Sequence, residues 1–172
     1  MQQKSTCGPA PSCSPDPATS LRRRRIDLDH DYEGLVAAQR KSWEINFPDD
    51  LFWESVFRSS VRGAARRGEV FVYERHGMVV GWLWLDLARP LAGVHIRHIQ
   101  VAEPYWGRGY GRSIVSDAIA IAMDRGAPRL TLNVTKENAR AMNLYEGLGF
   151  ETIEDFGQRQ RMSLELDAVD LL

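Results

Sequence analysis

A glycine-rich connector between a predicted strand and a predicted helix constrains this chain more than any other stretch. In Val101-Ala-Glu-Pro-Tyr-Trp-Gly-Arg-Gly-Tyr-Gly-Arg112, glycines alternate with large residues at 107, 109 and 111. Glycine permits a positive φ and a close approach of the backbone to a ligand. A helix that begins directly after such a loop points its free N–H groups and the positive end of its dipole at one place. The pattern therefore predicts an anion site, and phosphate fits it best.

Two better-known phosphate loops have a different spacing. A Walker loop ends in Gly-Lys-Ser/Thr, whereas Gly111-Arg112-Ser113 contains no lysine. A dinucleotide fingerprint reads Gly-x-Gly-x-x-Gly near the start of a βαβ unit, but here the glycines alternate and come late in the chain. Arg108 and Arg112 add positive charge to the loop. A connector without a ligand is the alternative interpretation.

Hydrophobic periodicity divides the chain from residue 21 onward into alternating helices and strands. The residue pattern predicts strands at 21–28, 69–75, 79–87, 93–101, 130–134, 150–154 and 159–167, of which 69–75 is rich in β-branched and aromatic residues. Apolar positions at helical spacing predict helices at 31–43, 48–68, 112–125 and 138–147. This order is typical of a mixed α/β domain with a central sheet.

The first twenty residues have a different composition. They hold four of the eight prolines and both cysteines, Cys7 and Cys13. Such a segment buries too little apolar surface to offset the entropy of ordering it. We therefore expect a flexible Pro/Ser-rich arm at 1–20 and a single domain at 21–172. Because both cysteines lie in the arm, we expect no disulfide framework, and two cysteines are too few for a structural zinc site, so no metal is expected.

Four consecutive arginines, Arg22–Arg25, follow this arm. A basic arm can bind nucleic acid, but four arginines alone make a weak, salt-sensitive site, and we favour an edge strand. Over the whole chain, 22 Lys+Arg and 23 Asp+Glu give a formal net charge of −1. Nucleic-acid-binding domains usually carry a basic excess, so nucleic acid is not expected as a partner.

The hydropathy pattern also bears on location. No apolar run approaches the ~20 residues that a membrane-spanning helix needs. The first twenty residues contain no apolar core like that of a secretory signal. We therefore expect no membrane partner and a cytoplasmic location.

A second informative stretch is Asn138-Ala-Arg-Ala-Met-Asn-Leu-Tyr-Glu-Gly-Leu-Gly-Phe150. Asn138 is well placed to cap the helix that it opens. Tyr145 follows seven residues later, two turns along the same helix, so both side chains can face one ligand. From the residues alone, Tyr145 is equally a core aromatic whose hydroxyl is bonded to a neighbour.

Together the two stretches resemble the GNAT superfamily of acyl-CoA-dependent N-acetyltransferases. The family's first signature, Arg/Gln-x-x-Gly-x-Gly/Ala, is matched at 106–111 except that Trp106 stands at its first position. The second, Asn-x-x-Ala-x-x-Leu-Tyr-x-x-x-Gly-Phe, is matched at every fixed position from Asn138 to Phe150. The resemblance implies a mostly antiparallel central sheet of about seven strands flanked by about four helices. It also implies that acetyl-CoA is the cosubstrate and that a primary amine attacks its thioester directly in a ternary complex.

The resemblance assigns roles to individual residues. Tyr145 is implied as the general acid, and a phenol of pKa ~10 is protonated at pH 7. Because Trp106 replaces an Arg or Gln, Arg108 and Arg112 become the expected side-chain partners of the phosphates. The implied cofactor-binding residues are Ile99, Gln100, Val101, Gly107, Arg108, Gly109, Tyr110, Gly111, Arg112 and Asn138.

The general base is less well defined by the sequence. Some relatives carry an acid or histidine eleven residues before the loop signature, which falls on His95 here. His98 is the second candidate, but at odd spacing it should face the other side of a regular strand. Glu103 is the third. Relatives that acetylate protein N-termini have a glutamate where this chain has Asn133, which weakens that assignment.

The acceptor is not defined by the sequence. A small-molecule amine and a protein or peptide amine both remain open, as do a monomer and a homodimer. The alternative function is a non-catalytic acyl-CoA-binding or sensor module of the same fold. Seven aromatic residues either line an acceptor pocket or pack the core: Trp43, Phe47, Phe52, Trp53, Phe57, Trp82 and Trp84.

Overall fold

Helices and strands alternate along the chain as the periodicity predicts. The structure, a computed structural model, describes residues 21–47 and 50–166, so the expected arm at 1–20 lies outside the described residues. The helices are α1 (Tyr32–Asn46), α2 (Glu54–Arg67), α3 (Tyr110–Asp124) and α4 (Ala139–Glu146). The strands are β1 (Arg22–Arg25), β2 (Val70–Arg75), β3 (Met78–Asp86), β4 (Val94–Val101), β5 (Arg129–Thr135), β6 (Glu151–Asp155) and β7 (Arg159–Glu165).

The seven strands form one sheet in the order β1-β2-β3-β4-β5-β7-β6. All neighbouring pairs are antiparallel except β4 and β5, which are parallel. The predicted fold class, a mostly antiparallel central sheet of about seven strands with about four helices, is confirmed.

Helices cover both faces of this sheet. Side chains alternate across a strand, so Leu83 and Leu85 face the layer of α3 and α4. Trp82 and Trp84 share the opposite face, as predicted, and pack against α1 and α2. Most of the buried apolar surface lies on the α3 side, where Ile114 is fully buried. Each residue of β4 therefore faces one of two different environments.

Two helix starts differ from the predicted ones. Helix α3 begins at Tyr110, inside the glycine motif, two residues before the predicted start. Helix α2 begins at Glu54 rather than near residue 48. Leu51, which continues the helical apolar pattern, is 76% exposed. Without burial of an apolar face, the residues before Glu54 have little to hold them in a helix.

The arginine run forms the edge strand β1, which confirms the favoured interpretation. Arg24 donates to Asp31 at 2.6 and 2.8 Å and to Glu74 at 2.7 Å. Arg23 donates to Asp117 at 2.8 Å. Arg22 lies 3.7 Å from Glu74. These carboxylates hold the strand against α1, β2 and α3, so three of the four arginines already have acidic partners within the fold.

Candidate active site

The sheet opens between its two parallel strands. Strand β4 pairs with β5 only from Val94 to Ile96, although it continues to pair with β3 as far as Val101. We call the space between residues 97–101 and 133–135 the β4–β5 gap. Along it, one edge of β4 has no strand partner among the described residues.

Backbone groups of β4 line this gap. The N–H of Ala102 donates to the carbonyl of Val80 on β3 at 2.8 Å. Successive peptide groups of a strand point to opposite edges, so the N–H groups of Ile99 and Val101 point away from β3 and toward the gap. The backbone of Gln100 points to β3. Its side chain accepts from Trp82 at 3.1 Å and donates to the carbonyl of Ala38 at 2.8 Å.

The glycine loop ends beside the gap in a set of free N–H groups. Gly107 and Gly109 have φ of 73° and 80°, and a Cβ added to either would meet no atom of the described residues within 4 Å. Within the described chain, the N–H groups of residues 107–112 have no hydrogen-bond acceptor. The first turn of α3 belongs to this set. Free N–H groups gathered at a helix start are what the predicted anion site requires.

The large residues of the loop hold it in place. The Tyr110 side chain is buried and its hydroxyl bonds to Arg75, so only its main chain can contact a ligand. A Cβ on Gly111 would lie 3.3 Å from Leu144 of α4. Arg112 donates to the carbonyl of Gly147 at the end of α4, at 3.0 Å. The start of α3 is thus fixed against α4.

Arg108 is the loop's other expected phosphate partner. It lies 6.0 Å from the ring centre of Tyr105. In the part of the chain that the structure describes, it forms no ion pair. Because Arg112 is already bonded to α4, Arg108 is the guanidinium better able to turn to a phosphate.

Trp106, the departure from the family signature, has its own structural role. Its indole N–H donates to the carbonyl of Val101 at 2.7 Å. The guanidinium of Arg140, on α4, lies 4.5 Å from the ring centre. The tryptophan therefore ties the loop to the end of β4 and occupies one carbonyl at the gap. Sequence reasoning missed this bond, although the unusual residue at a signature position marked the place.

The second motif forms α4 as predicted. The side chain of Asn138 caps the helix by accepting from the N–H of Ala141 at 3.1 Å. Tyr145 is 6% exposed, and within the described residues its hydroxyl makes no hydrogen bond. Burial raises the pKa of Tyr145 to about 12. The phenol is thus protonated at neutral pH, and its O–H can donate to a ligand.

His95 and His98 lie on the same face of the sheet. Trp84 pairs with His98, whereas the next residue of β3, Leu85, pairs with Ile96. Arg97 is therefore the extra residue of a β-bulge. A bulge shifts the alternation of side chains, so the prediction that the two histidines face opposite sides was wrong. Both face the α1 and α2 layer.

The two histidines have different neighbours. The Nδ1 of His95 is 2.8 Å from the hydroxyl oxygen of Thr131. His98 lies among three aromatic rings, with centroid distances of 5.4 to 5.8 Å. Burial, assisted by nearby arginines, lowers the pKa of each histidine to about 4. Both are neutral at pH 7 and have a ring nitrogen that can accept a proton.

The remaining base candidate and the asparagine at the N-terminal-acetylation position have other partners. Glu103 is exposed and forms an ion pair with Lys41 of α1. Asn133 accepts from the guanidinium of Arg161 at 3.2 Å. The asparagine amide is not a base, and Glu103 already has a cationic partner in Lys41.

We predict that the low pKa of His98 makes stability depend on pH. The unfolded histidine binds a proton near pH 6.5, whereas the folded one does so near pH 4. The part of the free energy of unfolding that comes from a neutral His98 is therefore present in full above pH 6.5. It is lost as the pH falls toward 4. Between pH 7.5 and 5.0, the loss is about 1–2 kcal/mol for His98.

Urea unfolding at the two pH values measures this loss. His98→Gln should reduce the difference between them by about that amount. The matched control is His76→Asn, in the exposed turn between β2 and β3, which should keep the wild-type difference. An unchanged pH dependence in the His98 variant would show that this histidine is not held neutral by the fold.

Aromatic rings form a connected row across the α1 and α2 face. Phe47 contacts Trp43 at 4.7 Å between centroids, and Trp43 contacts Phe52 at 5.9 Å. Phe52 contacts Phe57 at 5.6 Å, and Phe57 reaches His98 at 5.8 Å. Trp53 lies outside this row and is 68% exposed. The row thus runs from His98 at one end to Phe47, directly after α1, at the other.

The sheet opens between its parallel strands, beside a glycine loop with free N–H groups and a helix that bears a protonated tyrosine. This arrangement suits a phosphate-bearing ligand whose other end enters the sheet. The chain belongs to the Acetyltransferase (GNAT) family, whose model matches residues 32–150. The resemblance drawn from the two motifs is confirmed.

Known proteins support this membership. The chain is 34% identical to a mycothiol acetyltransferase of Jonesia denitrificans over 76 residues, which is 44% of this chain and 24% of that protein. It is 33% identical to an uncharacterized N-acetyltransferase, YycN, of Bacillus subtilis over 75 residues, 42% of this chain and 48% of that protein. The matched region thus spans a quarter to a half of the length of these relatives.

A solved structure supports the fold. The PaiA N-acetyltransferase of Thermoplasma acidophilum, in complex with coenzyme A, superposes with a TM-score of 0.71 at 16% identity, covering 86% of this chain and 99% of that one. Within residues 21–47 and 50–166, no group of three or more His, Cys, Asp or Glu is arranged to hold a metal ion. The helices in those ranges are too short or too polar to cross a membrane.

Proposed function

We propose that the protein is an N-acetyltransferase that moves an acetyl group from acetyl-CoA to a primary amine. The observation that carries this proposal is the set of free N–H groups at residues 107–112, at the start of α3 and beside the β4–β5 gap. Such a set suits a pyrophosphate. The solved neighbour from Thermoplasma acidophilum holds coenzyme A, and the two relatives are named as acetyltransferases.

The proposed cofactor path follows the loop and the gap. Residues 107–112 and Arg108 hold the pyrophosphate, and Gly107 and Gly109 leave room for it. The backbone N–H groups of Ile99 and Val101 face the pantetheine arm. Asn138 uses its side-chain oxygen for the helix cap, so its amide N–H groups are free for the same arm.

Acetyl-CoA supplies the thioester, whose carbonyl carbon the acceptor amine attacks. The new C–N bond places negative charge on the carbonyl oxygen, and the N–H of Val101 is directed to stabilise it. The C–S bond then breaks, and Tyr145 donates its proton to the departing thiolate. A phenol held protonated by burial suits this task.

The amine must lose protons in the reaction. We propose His95 as the group that accepts one, directly or through water. It is neutral at pH 7 because its pKa is about 4, and Thr131 fixes its ring through Nδ1. The corrected strand register places His98 on the same face, so His98 can relay the proton.

An acyl-CoA sensor without catalysis is the alternative function. A sensor needs the glycine loop but has no use for an unbonded, protonated hydroxyl at the end of α4. The hydroxyl of Tyr145 has no partner within the described chain. This observation favours the enzyme.

Release of free thiol from acetyl-CoA in the presence of amines tests the proposed function. The panel should include polyamines, amino acids, aminoglycosides and peptides with free N-termini. We expect amine-dependent thiol release with at least one class. Tight acetyl-CoA binding without amine-dependent release from any member would instead support the sensor.

A further inference from the structure

An arginine outside the proposed catalytic residues lies at the open end of the sheet. Arg159 is the first residue of β7 and pairs with Thr135 of β5, level with the β4–β5 gap. Met162 of the same strand packs on the α3 side. Side chains alternate along a strand, so Arg159 faces the α1 and α2 layer, the face of His95 and His98.

Arg159 also ends the row of aromatic rings. Its guanidinium carbon lies 5.3 Å from the ring centre of Phe47. From Phe47 the row continues through Trp43, Phe52 and Phe57 to His98. The path from His98 to Arg159 is therefore lined by aromatic rings, with a cation at its far end. On the same face, Arg161 and Asn133 lie between His95 and Arg159 and are bonded to each other.

Among the described residues, this cation has no anionic partner. Within residues 21–47 and 50–166, the guanidinium of Arg159 makes no ion pair or hydrogen bond. Its neighbours on the same face differ: Arg161 donates to Glu154 at 3.0 Å, and Arg97 donates to Asp86 at 2.7 Å. Partial burial lowers the pKa of Arg159. Burying part of a guanidinium without a counter-ion is unfavourable. An anion that binds Arg159 would supply that counter-ion and form charge-assisted hydrogen bonds with it.

The cofactor phosphates do not account for this arginine. The glycine loop leads into α3, which packs on the other face of the sheet. Arg159 faces the α1 and α2 layer with the histidines. An anion at Arg159 is therefore on the acceptor side.

We propose that Arg159 binds a carboxylate of the acceptor, and that the acceptor is a primary amine with an apolar body and a carboxylate group, as in an amino acid. This inference rests on the proposed function. A guanidinium binds a carboxylate through two parallel hydrogen bonds, and the ring of Phe47 supports the guanidinium from one side. A polyamine has no anion for this site and is repelled by its positive charge.

Matched pairs of amines test the proposal. Each pair is an amino acid and the amine left by its decarboxylation: phenylalanine and phenethylamine, tryptophan and tryptamine, lysine and cadaverine. We expect kcat/KM to favour the carboxylate member of at least one pair by roughly 10- to 100-fold, the range for a hydrogen bond to a charged group. Arg159→Gln should abolish that preference by raising KM, with kcat within about threefold. Arg159→Lys should retain part of it.

Arg66→Gln, an exposed arginine on α2, is the matched control and should keep the wild-type preference. Melting temperatures of all variants confirm that they are folded. Equal kcat/KM for both members of every pair, or a preference that survives Arg159→Gln, would overturn the proposal while leaving the acetyltransferase function intact.

A binding measurement separates this inference from the proposed function. In the enzyme saturated with CoA, N-acetyl-L-phenylalanine should bind at least tenfold more tightly than N-acetylphenethylamine, and Arg159→Gln should remove the difference. If that result holds but no amine is acetylated, the carboxylate site stands and the proposed function fails. If wild type and variant bind both compounds equally, the carboxylate site is excluded whatever the activity.

Discussion

Tyr145→Phe should lower kcat by roughly 100-fold or more and leave acetyl-CoA affinity nearly unchanged. The hydroxyl has no hydrogen bond within the described chain, so its removal costs little stability. Its pKa of about 12 keeps it protonated, and only the departing thiolate requires that proton. Steady-state kinetics, calorimetric titration with acetyl-CoA and a melting curve on the same variant measure all three quantities.

Tyr32→Phe is the matched control. Its hydroxyl donates to the carbonyl of Arg58 at 2.8 Å, so this variant should lose about 1 kcal/mol of stability and keep its kcat. The two variants thus have opposite expected profiles. A kcat for Tyr145→Phe within about threefold of wild type, with an unaffected chemical step in pre-steady-state measurements, would remove Tyr145 from the mechanism.

Gly109→Val should weaken acetyl-CoA binding by about 1–3 kcal/mol, or roughly 5- to 150-fold. Gly109 has a φ of 80°, which a β-branched residue adopts only with strain. Its N–H is one of the free set at 107–112. If the loop backbone rotates to relieve the strain, these N–H groups turn away from the pyrophosphate. A valine side chain also projects into the open space next to the loop. Calorimetric titration with acetyl-CoA measures the loss.

Gly126→Val provides a control for backbone strain alone. Gly126 also has a positive φ, 68°, but it lies at the opposite end of α3 from the glycine loop. It should lower stability without changing cofactor affinity. Unchanged affinity in a folded Gly109→Val protein would move the pyrophosphate away from this loop.

The fold and much of the site were predictable because their signals are local. Alternating glycines require a special backbone, and the structure gives Gly107 and Gly109 positive φ. Asn138 caps its helix through a residue only three positions away. Element order follows from periodicity within each segment, which is why the errors lie at element ends, such as the start of α2 and the end of β1.

The remaining features depend on residues far apart in the sequence. The bulge at Arg97 arises from pairing between β3 and β4, and a single strand gives no sign of it. Arg159 lies against the ring of Phe47, although the two residues are more than one hundred positions apart in the sequence. That no carboxylate of the described residues pairs with Arg159 becomes visible only in the folded structure.

Mass spectrometry with acetyl-CoA labelled with ¹³C in the acetyl group tests the central claim most directly. The enzyme is incubated with labelled cosubstrate, first alone and then with the best acceptor of the panel, and both enzyme and acceptor are weighed. Direct transfer predicts an unmodified enzyme in the first sample and a labelled N-acetyl group on the acceptor in the second. An acceptor that gains no label while acetyl-CoA is bound, or an acetylated enzyme that passes its label to the amine, would contradict the account.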